Sequence, residues 1–268
     1  MPALSRRTVL AAFGAAAVPP LVVTGARPAL AADEFGSNTE LYANANYTEG
    51  VDYARRFRRH GALDDNEAPG DTFPDTAIIA LHGGGIEPGT SELCLAVAGY
   101  HPAGGLVGGA VYDYWLFEGI RSSDNAILHI TSTNCDDPVA RATVGGSQRA
   151  VSLHGCSPEQ AEYPAGTAAI VIGGRDTPLK AAMLSSMRTT FNGTDIQVKD
   201  AALVPRLGGD DPDNIVNLTV PKRGVQFELT TPLRARMFGT NTRTGRKNTT
   251  LPLFWSFTNA VRETLASS

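Results

Sequence analysis

The 268-residue sequence predicts an α/β domain with a mixed, largely parallel central sheet flanked by helices. The first observation behind this is a set of short, continuous apolar segments, among them "TAIIALH" (76–82) and "AAIVIGG" (168–174). Such runs suit strands buried on both faces, as parallel sheets require. The second is that helical stretches separate them. The third is that His82 and His154 stand where apolar segments end, and sites in open α/β sheets gather at the carboxyl ends of strands. No repeat or linker divides the chain, so one domain is expected.

The chain opens with Arg6-Arg7 before an apolar run, then "ALA" at 29–31. This predicts a twin-arginine export signal over residues 1–31, cleaved after Ala31, and a secreted protein. Pro19-Pro20 interrupts the run and no second apolar span of membrane length follows, so no stable membrane insertion is expected after cleavage. Residues 32–75 are rich in Asn, Asp, Gly and Pro and read as an irregular N-terminal segment joining the domain, with one strand-like patch at 53–59. The catalytic domain is expected over 76–268. Its apolar patterns predict strands at 76–82, 111–119, 126–132, 150–155, 168–174, 195–201, 214–220 and 225–231. Helices are predicted at 90–100, with Thr90 or Ser91 as N-cap, and at 137–146, 177–191 and 251–267.

The formal charge of −4 becomes more negative once the three leader arginines are removed. Nothing here forms the basic surface that nucleic acid requires. An anionic substrate would need locally concentrated cations. Cys94, Cys135 and Cys156 lack the paired spacing of a structural zinc cluster. In an oxidising compartment Cys135 and Cys156, each shortly after a histidine-bearing segment, are a candidate disulfide, while Cys94 suits a buried helix position. A monomer is the economical expectation.

"LHGGGIEPGTSE" (81–92) holds the densest chemistry. It lacks the lysine of a phosphate-binding P-loop and the spacing of a dinucleotide loop. Its glycines allow a sharp turn after His82 that can bring Glu87 back beside it, as two ligands of one metal or as an ordinary turn with an incidental acid. His154 in "AVSLHGC" ends a later strand. A His-Glu-His set leaves one coordination position for water, the usual catalytic zinc arrangement. Glu228 in "VQFELTT" is the candidate general base if buried, and an edge-strand acid if not. His60 and His101 read as surface residues.

"AIIALHGGGIEPGTSEL", "LHITSTNCDDP", "AVSLHGC", "IGGRD" and "GVQFELTTPLR", in this order, resemble the poly-γ-glutamate hydrolase family, typified by bacteriophage enzymes that depolymerise γ-linked polyglutamate capsules. The resemblance runs from about 76 to 236, with 60–75 reading as an insertion before the first core strand. It implies an open core like that of zinc carboxypeptidases and one Zn2+ per chain, held by His82, Glu87 and His154. It places Glu228 as the base that takes a proton from the attacking water. His129 belongs to the family pattern and is expected to support the ligands or face substrate; it is also the alternative third ligand. An arginine should grip a substrate carboxylate or the oxyanion: Arg175 first, then Arg234, with Arg236 further back. The implied substrate is an anionic γ-glutamyl polymer. The alternatives are a zinc amidase acting on peptidoglycan or short γ-glutamyl peptides, and a non-catalytic exported binding protein of the same fold.

Overall fold

The computed structural model describes residues 33–60 and 75–268, within one compact unit. The expected export signal at 1–31 and nearly all of the 60–75 insertion lie outside the described residues. The strands are β1 (Tyr53–Arg58), β2 (Thr76–Gly84), β3 (Asp113–Gly119), β4 (Arg149–Cys156), β5 (Ala169–Gly173), β6 (Gln197–Asp200) and β7 (Val225–Thr230). The helices are α1 (Asn38–Ala43), α2 (Thr90–Val97), α3 (Pro138–Gly145), α4 (Thr177–Thr190), α5 (Thr231–Ala235), α6 (Arg243–Arg246) and α7 (Pro252–Ser267).

The strands form one sheet in the order β1-β3-β2-β4-β7-β5-β6. β2 pairs in parallel with both β3 and β4, β4 with β7, and β5 with β6. Among the described strands β1 against β3 and β5 against β7 run antiparallel, so the sheet is mixed and largely parallel, as expected. β2 is buried along its whole length, and its side chains alternate between two cores. Ile78 and Ala80 join Leu116, Leu153 and Phe227 beneath α2, α4 and α7. Ala77, Ile79 and Leu81 join Trp115 and Phe117 on the other face, covered by α3 and the N-terminal segment. Each fully buried isoleucine contributes roughly 1.5–3 kcal/mol.

α3 and α4 start where an aspartate precedes Pro at the first turn: Asp137 accepts from the amides of Val139 and Ala140, and Asp176 from that of Leu179. The "irregular" N-terminal segment departs from expectation by containing α1. Its Ser37 side chain accepts from Glu40 N, while Glu40 reaches back to Gly36 N.

Two predicted strands are absent. Residues 126–132 form 3₁₀ turns at Asn125–Leu128 and Ser132–Asn134, because both edges of β2 are already paired and this segment instead lies across its end. Residues 214–220 hold a 3₁₀ turn at Ile215–Asn217, started by the Asn214 side chain accepting from Val216 N. The Cys135–Cys156 disulfide is also corrected. All three cysteines are free and buried, and Cys135 and Cys156 sit in separate apolar clusters. No helix among the described residues is long and apolar enough to cross a membrane.

Candidate metal centre

β2 ends on His82-Gly83-Gly84, and the chain then reverses over 85–89 into α2. Gly84 has φ +67°, and a Cβ there would lie 2.2 Å from the Gly119 carbonyl, so no other residue fits. The amide of Glu87 donates to the His82 carbonyl (2.8 Å), closing the turn and laying the carboxylate beside the imidazole. Glu87 Oε1 is 3.0 Å from His82 Nδ1, and Oε2 accepts from Gly155 N at 2.7 Å. One carboxylate thus pins the loop after β2 to the end of β4.

His154, on β4, brings its Nδ1 to 3.1 Å from His82 Nδ1 and 3.9 Å from Glu87 Oε2. Ligand atoms of His82, Glu87 and His154 all lie within 4.8 Å of one another. The outer nitrogens are committed elsewhere. His82 Nε2 donates to the Ile130 carbonyl (2.8 Å), an oxygen that can only accept, so its Nδ1 carries the lone pair of the neutral ring. His154 Nε2 meets Ser152 Oγ at 2.7 Å. Two imidazole nitrogens and a carboxylate therefore converge on one point. The residues fit a zinc ion: an N, N, O set, with the outer nitrogens held by protein groups.

The protonation pattern says the same. Burial disfavours charge on His82, but the Glu87 carboxylate outweighs it and raises the ring's pKa. Burial, with His82 next to it, pushes His154 down to about 3. Burial opposes ionisation of Glu87, yet the His82 charge and hydrogen bond, with help from His154 and Arg234, hold it down at about 2.

Glu228 lies on β7 directly beside His154 in the parallel register and is 6% exposed. Burial first, and then the Glu87 charge, raise its carboxyl well above the usual range. Gln226 Nε2 donates to its Oε1 at 2.9 Å. His129 stacks on His82 with ring centroids 3.9 Å apart, and its Nδ1 meets Asp33 Oδ1 at 2.7 Å. The other Asp33 oxygen accepts from Thr131 N. His129 lies outside the convergent ligand set.

The arginines divide. Arg234 is buried against Gly155, donating from Nε to Leu229 O, from Nη1 to Pro88 O and from Nη2 to Thr231 Oγ1. Its charge acts on both Glu87 and Glu228. Arg175, ranked first from sequence, is exposed and donates from Nη1 to the Asp210 carbonyl. Because β5 runs against β7, its end meets Gln226, and Arg175 lies beyond that point, away from the ligands. Arg236 pairs with exposed Asp195. Neither surface histidine is free: His60 pairs with Asp113 and Tyr100, and His101 stacks on Trp255.

Sequence reasoning missed Asp33, Ser152, Gln226 and a buried clamp on the loop. In the clamp, Arg246 donates from Nε to Glu92 Oε1 (3.0 Å) and from Nη2 to the Gly84 carbonyl (2.8 Å). Only the Ser152-x-His154 and Gln226-x-Glu228 spacings, which put both members on one strand face, carried a signal.

A family model described as poly-gamma-glutamate hydrolase matches residues 68–260, which is most of the chain. The chain belongs to that family. The match reaches further at both ends than the motifs read from sequence. Among relatives, the poly-gamma-glutamate hydrolase family member is 30% identical to the UPF0714 protein YndL of Bacillus subtilis (strain 168), over 77% of this chain and 76% of YndL. It is 31% identical to the SPbeta prophage-derived UPF0714 protein YoqZ of the same strain, over 82% of this chain and 74% of YoqZ. Its fold matches a solved bacteriophage poly-gamma-glutamate hydrolase at TM-score 0.70 and 27% identity, covering 88% of this chain and 98% of that one. It also matches a zinc-free apo structure of YndL at TM-score 0.71 and 26% identity, with the same coverage.

Proposed function

We propose that the protein is an exported zinc hydrolase that cleaves γ-glutamyl amide bonds of poly-γ-glutamate. The observation that carries this reading is the convergence of His82, Glu87 and His154 beside the buried Glu228. The family, and the zinc-free form in which YndL was solved, support the same metal. A zinc ion held there supplies Lewis acidity toward a carbonyl and brings the pKa of water toward about 7. Glu228, short of solvent and beside Glu87, is a stronger base than an exposed carboxylate. It takes a proton from the attacking water and returns it to the leaving amine, a role worth roughly 10²–10⁴-fold. The charge of buried Arg234 favours the ionised forms of both Glu87 and Glu228. His129 has its Nδ1 engaged by Asp33, which leaves Nε2 as the ring nitrogen that would meet substrate.

The test is elemental analysis of the purified protein followed by turnover on γ-linked polyglutamate. About one zinc per chain and release of shortened polymer support the reading. Cleavage of short γ-glutamyl peptides or peptidoglycan, with the polymer untouched, would replace the substrate. Zinc without amide cleavage would leave a binding protein.

A further inference from the structure

β7 alternates between two environments. Phe227 and Leu229 enter the apolar core, whereas Gln226 and Glu228 share the opposite face and are buried as well. A buried glutamine amide next to a buried carboxylate is costly unless its orientation is fixed. The two ends of an amide side chain have nearly the same shape, so its direction is set by its hydrogen bonds. Here the chain of contacts begins at a backbone group, which fixes that direction.

The Val216 N–H is a donor and nothing else, and it points at the Asn214 side chain (3.1 Å), so the atom it meets is Oδ1. The other end of Asn214 is therefore Nδ2, which donates to Gln226 Oε1 at 2.9 Å. Gln226 in turn must direct Nε2 at Glu228 Oε1, also 2.9 Å away. Asn214 is itself immobilised, its backbone N–H donating to Asp211 O and its backbone carbonyl accepting from Asn217 N. Asn217 straps the same loop to the start of β7 by accepting from Gly224 N and donating to Gly209 O and Asp211 O. Gly209, at φ +61°, lets the loop close over Gln226: a Cβ there would lie 2.8 Å from the glutamine Cδ.

We propose that Asn214 and Gln226 are positioning residues for Glu228, forming a one-way relay from the Val216 amide that always presents a donor to Glu228 Oε1 and leaves Oε2 to exchange protons with water and the leaving amine. This rests on the reading of Glu228 as the base. The relay differs from simple packing because its direction matters. In N214D the aspartate has nearly the same shape and still accepts from Val216 N, but its second oxygen cannot donate. Gln226 then turns over to donate to that new carboxylate, and its own carbonyl faces Glu228.

The test compares N214D, N214A, Q226M and E228Q as zinc-loaded enzymes. The relay predicts that kcat falls in the order wild type, N214A, N214D, with N214D about 10–100-fold down at unchanged KM and zinc content. A residue that only caps the 3₁₀ turn would give the reverse order, because aspartate keeps the cap and alanine loses it. In the Q226M background N214D should have no further effect, since Asn214 acts only through Gln226. Independent of turnover, the Gln226 side-chain amide resonances of the zinc-free protein, identified by their loss in Q226M, should move in N214D. N214D at wild-type kcat, the reversed order, multiplying losses or unmoved resonances would each overturn the relay. If Q226M does not fold, the N214A and N214D order and the resonances still decide. Wild-type turnover in E228Q would instead remove the base reading, leaving the relay to the resonances alone.

Discussion

His82 and His154 face each other through their Nδ1 atoms at 3.1 Å, while the Ile130 carbonyl and the Ser152 hydroxyl hold their Nε2 atoms. In the metal-free protein a proton on His82 Nδ1, favoured by Glu87, occupies the space between the two rings. Replacing either with alanine removes one of three ligands, so H82A and H154A should each lose stoichiometric zinc, measured by elemental analysis, and fall to background turnover. Full zinc retention in H154A would move the third ligand to His129.

Zinc binding should weaken as pH falls. In the metal-free protein Glu87 raises the pKa of His82 against the effect of burial, and that proton must leave when zinc enters. Below the raised value, affinity should drop by up to about tenfold per pH unit for one displaced proton. Competition titrations between about pH 6 and 8 would read this. The same shift acts on folding: a raised pKa stabilises the metal-free protein below about 6.5 and the benefit disappears as pH rises through the folded value. His154, held down at about 3, acts oppositely, removing stability as pH falls from about 6.5 toward its folded value. An affinity independent of pH would contradict a proton on His82.

E228Q should keep its zinc and its melting temperature while kcat drops about 10²–10⁴-fold. Isothermal titration with zinc beside steady-state kinetics separates the two. Activity at wild-type level would end the role of Glu228 as base.

D33A should release His129 from its anchor, leaving the ring free to turn on His82. The expected result is a several-fold higher KM for polymer with zinc content unchanged, and D33N should recover part of it. Equal kinetics in D33A and wild type would show that His129 needs no anchor.

R246M should destabilise the protein by about 3–5 kcal/mol in urea unfolding, because Glu92 would remain buried without its partner. The double variant R246M/E92Q should regain much of that. A loss below about 1 kcal/mol would mean that water reaches the pair.

The fold was legible where burial on both faces wrote itself into the chain. "TAIIALH" and "AAIVIGG" could be little else than central strands, and their helical neighbours 137–146 and 177–191 were found as α3 and α4. Residues 126–132 misled because a short apolar run does not say whether a sheet edge is available to pair with it. Ser37-Asn-Thr-Glu40 carried a readable start for α1 that the surrounding polar composition hid. That His82 and Glu87 come together was legible because the glycines between them are close in sequence. Arg175 was misplaced because nothing in "IGGRD" reveals that β5 runs backwards against β7. Asp33, 96 residues from the histidine it holds, was beyond any local pattern.

That last contact redraws where the working unit begins. The family match starts at residue 68, yet Asp33 holds one wall of the metal centre and β1 closes one edge of the sheet. A version trimmed to the shared region would carry every metal ligand and lack the peg that keeps His129 in place. If the leader is cut after Ala31, a single residue separates the new chain end from that peg. Under the proposed export, processing only two residues further along would remove that peg while leaving His82, Glu87 and His154 in place.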